Sequence, residues 1–268
     1  NALFPPAAWP NCHACGSGCQ GAPNHVSGPV RLRGAKVETA DHGGGIDAAA
    51  LAYGGARADW IDLSTGINPV PYSLGPVSAG AWAALPDAGA FAKLEAAARR
   101  FWAVPSGAAI LVAPGASALI ARIPALLPPA TVSIPGPTYN EHGRAFTAAG
   151  WTQTAEDAQA QVIVHPNNPD GRVWEDVRNH ALQVIDESFC DVTPEASLIR
   201  LAKCPGTLIL KSFGKFWGLA GLRLGFAIGD PALIAKLAQM IGPWAVSGPA
   251  LEIGARALND DAWAKATR

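Results

Sequence analysis

The chain has 268 residues, of which 49% are apolar and only 15% are charged, and its formal net charge is -1. A chain of this length can bury a sizeable core, and its balanced charge argues against a basic nucleic-acid-binding surface, so no nucleic-acid partner is expected. No apolar run is long enough for a membrane span, and the first residues do not resemble a signal peptide, so no membrane association is expected.

Residues 1–36 are predicted to be a disordered leader, because they are rich in Pro, Gly and Ala and have no hydrophobic period. Cys12, Cys15 and Cys19 lie in this segment at a spacing that zinc sites also use. No second paired cluster follows them, so no metal site is predicted. The odd number of cysteines and the missing secretory signal together favour a cytoplasmic location.

Residues 37–268 alternate between strand-like and helix-like patterns, which predicts one α/β domain. Two connections, 150–161 and 171–182, are short, since a parallel crossover needs about a dozen residues. The second connection leaves room for only two or three helical turns.

Two segments with glycine open this domain, DHGGGIDAAA at 41–50 and LSTGINPVPY at 63–72. The glycines of the first segment would allow the backbone to approach an anion closely. The alternative is a flexible, glycine-rich entry to the domain.

The next pattern, LVAPGASALIARIPALL at 111–127, predicts a strand, a glycine turn and a helix. The amides of Ala116 and Ser117 would then face an anion at a helix N-terminus, although Ser117 could equally be an ordinary helix cap. Tyr139 begins another predicted helix after a strand, and a packed core tyrosine remains an alternative there.

Two further strand ends carry polar side chains. HPNNPDG at 165–171 directly follows the strand-like QVIV, which places Asn168 in a tight turn at the carboxyl end of a strand. Ligands bind at this edge of open α/β sheets. Asp186 ends the apolar run LQVID, and a carboxylate buried there needs a partner such as a protonated pyridine nitrogen.

The segment SFGKFWGLAGLRLGF, from Ser212 to Phe226, places Lys215 three residues after a serine and eight before Arg223. Lys215 follows the apolar run TLIL and has aromatic neighbours, so its charge requires a partner or a reaction. Lysine amines form Schiff bases, and hydroxyl and guanidinium groups bind phosphate. The segment therefore predicts pyridoxal 5'-phosphate as the cofactor and Lys215 as the catalytic residue.

The NPDG turn, the strand-end aspartate and the S-x-x-K segment followed by arginine resemble the class I/II aminotransferase superfamily of fold type I, over roughly residues 40–268. The resemblance implies a three-layer α/β/α domain with a mostly parallel sheet, which assembles as a homodimer. It also implies cofactor contacts. These are Asn168 to the ring hydroxyl, Asp186 to the ring nitrogen, Tyr139 stacked on the ring, Lys215 in the aldimine, and Ala116, Ser117, Ser212 and Arg223 around the phosphate.

Within this superfamily, the two glycine segments, LPDAGAFAKLEAAARRFW at 85–102 and GPWAVSGPALEIGARAL at 242–258 resemble the L-threonine O-phosphate decarboxylases of cobalamin biosynthesis. The resemblance implies decarboxylation of a small phosphorylated amino acid, L-threonine O-3-phosphate, to (R)-1-amino-2-propanol O-2-phosphate. The substrate contacts that it implies are His42, Gly43, Asn68 and Asn168.

Two alternatives remain open. A histidinol-phosphate-type aminotransferase would use the same cofactor residues, and a truncated, inactive chain is expected if the small C-terminal domain of the relatives is missing. Three positions also differ from many relatives: Phe189 and Leu85 stand where those have tyrosine, and Gly66 stands where some decarboxylases have asparagine.

Overall fold

A single seven-stranded sheet forms the centre of the chain in the computed structural model, which describes residues 43–175, 177 and 180–268. The strands are β1 (Ala109–Ala113), β2 (Thr131–Ser133), β3 (Thr152–Gln153), β4 (Ala160–Val164), β5 (Leu182–Asp186), β6 (Thr207–Ser212) and β7 (Gly225–Gly229). Their order across the sheet is β1-β7-β6-β5-β4-β2-β3. β7 is antiparallel to β1 and β6, whereas the other neighbours are parallel. The predicted mostly parallel sheet is therefore confirmed.

Helices cover both faces of this sheet. The α-helices of the described residues are α1 (Ile46–Tyr53), α2 (Ala79–Ala83), α3 (Ala88–Phe101), α4 (Ala116–Ile120), α5 (Asn140–Ala148), α6 (Pro231–Ile241), α7 (Gly248–Ala257) and α8 (Asp261–Thr267). No helix among them is both long and apolar enough to cross a membrane.

Two hydrophobic cores lie on opposite faces of the sheet and give the three-layer architecture. Helices α3 and α7 pack on one face, in a core that includes Leu94, Ile185, Ile209, Phe226 and Leu251. Helices α4, α5 and α6 pack on the other, in a core that includes Leu119, Phe146, Val184, Leu208 and Leu237. The central strands β5 and β7 are buried along their whole length, which explains why their sequences read as almost continuous apolar runs.

Helix α3 illustrates how local sequence signals produce these elements. Asp87 caps the helix, since its side chain accepts a hydrogen bond from the amide of Ala90. The alanine-rich interior favours helix, and Arg99 and Arg100 complement the negative C-terminal end. The helix buries Leu94 with two alanines against the sheet and α7, and burial of one leucine side chain stabilises the fold by about 2 kcal/mol.

The connections between β4, β5 and β6 contain little regular helix. The described residues between β4 and β5 form turns and loop, so this short connection, which has room for two or three helical turns, contains no helix in its described part. The β5–β6 connection likewise uses three short 3-10 turns. The predicted leader at 1–36, with Cys12, Cys15 and Cys19, lies outside the described residues.

Candidate functional site

A cavity of about 240 Å³ lies at the carboxyl ends of β4, β5 and β6. All eight residues predicted to bind the cofactor line it: Ala116, Ser117, Tyr139, Asn168, Asp186, Ser212, Lys215 and Arg223. They come from six separate stretches of sequence, and the parallel strands bring their ends to one edge of the sheet. The structure therefore joins in one place the side chains that the sequence patterns singled out.

Lys215 lies in a compact loop between β6 and β7. The amides of Gly218 and Asn68 both donate to its carbonyl oxygen, at 3.0 and 3.1 Å. Its side chain is half-buried, with Nζ 5.3 Å from the ring centre of Phe189. Burial lowers the pKa of the Lys215 amine, and the charge of Asp186 only partly opposes this shift. A larger fraction of neutral amine, the nucleophilic form, follows at neutral pH.

Asp186 is 2% exposed and its carboxylate is held by two neighbours. His142 Nε2 lies 2.8 Å from Oδ2, and Ser188 donates to Oδ1 from its amide at 3.0 Å and from its hydroxyl at 2.5 Å. Burial raises the pKa of the Asp186 carboxyl, but the bonds and charge from His142 and the bonds from Ser188 outweigh it and leave the pKa below its usual range. The cavity therefore has an ionised carboxylate that can pair with a cationic ring nitrogen.

Arg223 and Ser117 form an anion-binding corner of the cavity. Arg223 Nη2 donates to Ser117 Oγ at 2.9 Å, while Nη1 donates to the carbonyl of Ala220 at 3.0 Å. Gly115 precedes α4 with φ of +88°, and a Cβ atom there would come within 2.5 Å of Nη2. Gly115, not Ser117, holds the N-cap position, so the helix-cap alternative for Ser117 is wrong. Amides, a hydroxyl and a guanidinium fork at this corner suit a phosphate group.

The turn that carries Asn168 is held by its neighbour, Asn167. The Asn167 side-chain amide donates to the carbonyl of Pro137 at 3.0 Å and to Asp170 Oδ1 at 2.7 Å. Thr138 donates from its hydroxyl to Asn167 Oδ1 at 2.6 Å. These bonds tie the turn to the segment before α5 and place Asn168 at the cavity wall.

Of the three predicted substrate contacts that the structure describes, Gly43, Asn68 and Asn168, only Asn168 lines the cavity. His42 lies outside the described residues, and Gly43 packs so closely on the backbone of Ser64 that a Cβ atom would come within 2.2 Å of its oxygen. Gly43 lines a separate open depression with α1. The Asn68 side chain donates to the carbonyl of Phe216 and accepts from the amide of Val70, each at 2.9 Å, so it braces the loop of Lys215.

The two side chains that hold the Asp186 carboxylate, His142 and Ser188, were missed by sequence reasoning. His142 lies in α5, three residues after Tyr139, which is the N-cap residue of that helix, and the two rings meet edge to face with their centroids 6.0 Å apart. This spacing beside a predicted ligand aromatic was the available signal for His142. Ser188 belongs to the DES turn itself.

One group of side chains in the described residues has metal-ligand types close together, His165, Glu187 and Cys190. Both ring nitrogens of His165 already have hydrogen-bond partners within the fold. Nε2 bonds to the carbonyl of Ala196, and Nδ1 accepts from the amide of Trp174. Burial raises the pKa of the Cys190 thiol to about 12, so a thiolate ligand is disfavoured. This group is therefore part of the packed interior.

Known proteins resemble this chain in sequence. The sequence model of the family "Aminotransferase class I and II" matches residues 152–268. A threonine-phosphate decarboxylase of Sinorhizobium sp is 41% identical over 240 residues, which are 82% of this chain and 72% of the relative. The threonine-phosphate decarboxylase of Pseudomonas aeruginosa is 38% identical over 82% of this chain and 71% of its own length. A histidinol-phosphate aminotransferase of Blochmanniella pennsylvanica is 38% identical, but over only 36% of this chain and 30% of its own length.

Solved structures share the fold. The histidinol-phosphate aminotransferase of Clostridium acetobutylicum superposes with a TM-score of 0.64 and 20% identity, covering 76% of this chain and 71% of that structure. The L-threonine-O-3-phosphate decarboxylase of Porphyromonas gingivalis superposes with a TM-score of 0.60 and 21% sequence identity. The superposition covers 68% of this chain and 66% of that structure. At these identities the likeness concerns the fold alone.

Proposed function

Because this chain belongs to the threonine-phosphate decarboxylase family, within the class I and II aminotransferases, we propose that it decarboxylates L-threonine O-3-phosphate to (R)-1-amino-2-propanol O-2-phosphate for cobalamin biosynthesis, with pyridoxal 5'-phosphate as cofactor. The observation that carries the proposal is that the Lys215 amine, the Asp186 carboxylate and the Arg223 guanidinium line one cavity. These three groups match an aldehyde, a ring nitrogen and a phosphate in chemical type.

The residues of the cavity fit this cofactor by charge and by shape. Asp186 stays ionised although buried, as a partner for a protonated ring nitrogen must. Gly115 leaves room for Arg223 beside Ser117, where a side chain would displace the guanidinium group. Pyridoxal phosphate, when bound, supplies a carbonyl that combines with amines and a ring that withdraws electrons.

The remaining chemistry belongs to side chains of this protein. Lys215 would bind the cofactor covalently through Nζ and, once displaced by the substrate amine, would hold a proton near the reacting carbon. Loss of carbon dioxide would leave the electron pair of the broken bond on that carbon, where the electron-withdrawing ring of the cofactor would stabilise it, and Lys215 Nζ would supply the proton that takes the place of the carboxylate. His142 and Ser188 would keep the Asp186 carboxylate charged and oriented throughout.

Assembly and location are part of the same proposal. We infer a homodimer, supported by the apolar side chains that residues 43–85 expose, such as Leu51, Ile61 and Leu63. A cytoplasmic location, predicted from cysteine usage, stays a prediction. The histidinol-phosphate aminotransferase alternative has weaker support, since the compared relatives of that name match between 36% and 47% of the chain, against 82% for the two decarboxylases.

The test is product analysis with the cofactor-loaded protein. We expect carbon dioxide and the amino-propanol phosphate from L-threonine O-3-phosphate, and no turnover by the Lys215→Ala variant. Borohydride reduction should fix the cofactor on the peptide that contains Lys215. Transfer of the amino group from histidinol phosphate to 2-oxoglutarate, without release of carbon dioxide from threonine phosphate, would overturn the proposal in favour of an aminotransferase.

A further inference from the structure

A cluster of buried charges lies directly behind the cavity. Lys211 Nζ is 2.6 Å from Glu187 Oε2 and 3.6 Å from Asp191 Oδ1, and all three residues are at most 4% exposed. Glu187 also accepts hydrogen bonds from the hydroxyl of Ser197 and the amide of Leu198. Buried charges of this kind are costly unless every one is paired, so the geometry of the cluster is tightly constrained.

Two members of this cluster are direct sequence neighbours of site residues. Glu187 follows Asp186, and Lys211 precedes Ser212. Their own side chains do not line the cavity. Successive side chains of a strand point to opposite faces of the sheet. Asp186 and Ser212 therefore face the cavity, and the neighbouring Glu187 and Lys211 support the same strand ends from the opposite side.

Asp191 connects the cluster to the loop of Lys215. The indole of Trp217 donates to Asp191 Oδ2 at 3.1 Å, and the indole of Trp102 donates to Oδ1 at 2.8 Å. Trp217 is two residues after Lys215, and its carbonyl accepts from the amide of Tyr72 at 2.9 Å. Trp102, by contrast, follows α3 and is remote in sequence from the loop.

We propose that Asp191 is a positioning residue for Lys215, acting through its hydrogen bond to the Trp217 indole, with Lys211 as the countercharge that makes a buried carboxylate tolerable. The bond fixes the indole, the indole fixes the loop from Phe213 to Leu219, and the loop sets where Nζ enters the cavity. This proposal rests on the proposed function, in which Lys215 binds the cofactor.

The two indoles provide a matched pair of variants. Trp217→Phe and Trp102→Phe each remove one donor from the same carboxylate and the same volume from the same core, but only Trp217 belongs to the loop. Asp191→Asn keeps the shape of the side chain and removes its charge. For each variant we would measure hydrogen exchange of the Gly218 and Leu219 amides in the cofactor-free protein, the rate of cofactor attachment at Lys215, and the midpoint of urea unfolding.

We expect Asp191→Asn and Trp217→Phe to speed exchange of the loop amides and to slow attachment, each about tenfold, the effect of losing one hydrogen bond to a charged group. Trp102→Phe should change the exchange rate of the loop amides and the rate of cofactor attachment by less than about twofold each. It should lower the midpoint of urea unfolding as much as Trp217→Phe does. Equal effects of the two tryptophan variants on the loop would overturn the proposal.

These measurements distinguish a failure of the positioning role of Asp191 from a failure of the proposed function. If Asp191→Asn does not fold, the tryptophan pair still decides. If the cofactor attaches elsewhere than Lys215 in the unaltered protein, the proposed function fails, whereas the exchange comparison still reports whether Asp191 orders the loop. Unchanged exchange in Trp217→Phe would refute the positioning role even if the cofactor attaches at Lys215.

Discussion

Gly66 and Phe189 are in contact in the structure, although 123 positions separate them in the chain (189 minus 66). The sequence resemblance predicts tyrosine at position 189 in many relatives and asparagine at position 66 in some decarboxylases, and the contact gives a physical reason for a small residue 66 beside Phe189. A Cβ atom on residue 66 would come within 2.8 Å of the Phe189 ring, so a larger side chain cannot share the space with this ring. The centre of the same ring lies 5.3 Å from Lys215 Nζ, so a change at Gly66 affects the surroundings of the amine for which we propose the catalytic role.

Gly66→Ala should therefore weaken binding of pyridoxal phosphate, because the methyl group pushes the Phe189 ring toward Lys215. Overpacking of this size costs about 1–3 kcal/mol, which corresponds to roughly a fivefold to hundredfold loss of affinity. Absorbance titration with the cofactor measures the loss. Gly45→Ala is the control, since open space surrounds that glycine. Adding Phe189→Leu to Gly66→Ala should restore most of the affinity, and a double variant no better than the single one would contradict the explanation.

At the scale of elements, the packing of α7 on α3 supports the site from a distance. Gly254 lies inside α7, where a Cβ atom would come within 2.5 Å of Leu224 Cδ2 and 3.2 Å of Leu94 Cδ1. Leu224 directly follows Arg223, the guanidinium donor of the anion-binding corner. The close approach of the two helices thus bears on the position of a site residue as well as on stability.

Gly254→Ala is expected to lower the free energy of unfolding by about 1–2 kcal/mol, because the clash with two leucines exceeds the gain in helix propensity. Gly80→Ala, in α2 with open space around the glycine, should be neutral or stabilise by up to about 1 kcal/mol. Urea unfolding of both variants gives the comparison. Equal stabilisation by the two changes would show that α7 can move away from α3 without cost.

For the whole molecule, the N-terminal part of the described chain is the least covered. Helix α1 has no buried residue, and Leu51, Tyr53, Ile61 and Leu63 are each more than 80% exposed. An exposed apolar surface of this kind is typical of a subunit interface. A second copy of the chain is the occupant that the proposed homodimer requires.

The double change Ile61→Asp with Leu63→Asp should shift the protein from dimer to monomer, because two carboxylates would have to be buried in the interface. Sedimentation equilibrium measures the dissociation constant, and we expect it to rise at least about a hundredfold. Val192→Asp is the control, since Val192 is exposed on a different segment. A monomeric starting protein, or a dimer indifferent to the double change, would rule out this surface as the interface.

Local patterns were sufficient for the strands and for the residues at their ends. Runs such as LQVID and TLIL predict buried strands because both faces of a central strand meet apolar layers, and the polar residue that ends such a run lies at the ligand-binding edge. The β4–β5 connection was predicted to be short, but length alone does not distinguish a short helix from packed loop, and its described residues contain no helix.

The sequence by itself determined the type of fold and predicted eight of the residues that line the cavity, since strand periodicity and polar strand ends are encoded within a few positions of one another. Only the tertiary structure decided which side chains support them. His142 beside Asp186, Asp191 beside Trp217 and the contact of Gly66 with Phe189 join residues far apart in the chain. Such pairs leave no local pattern, because burial and close contact arise only when separate elements pack together.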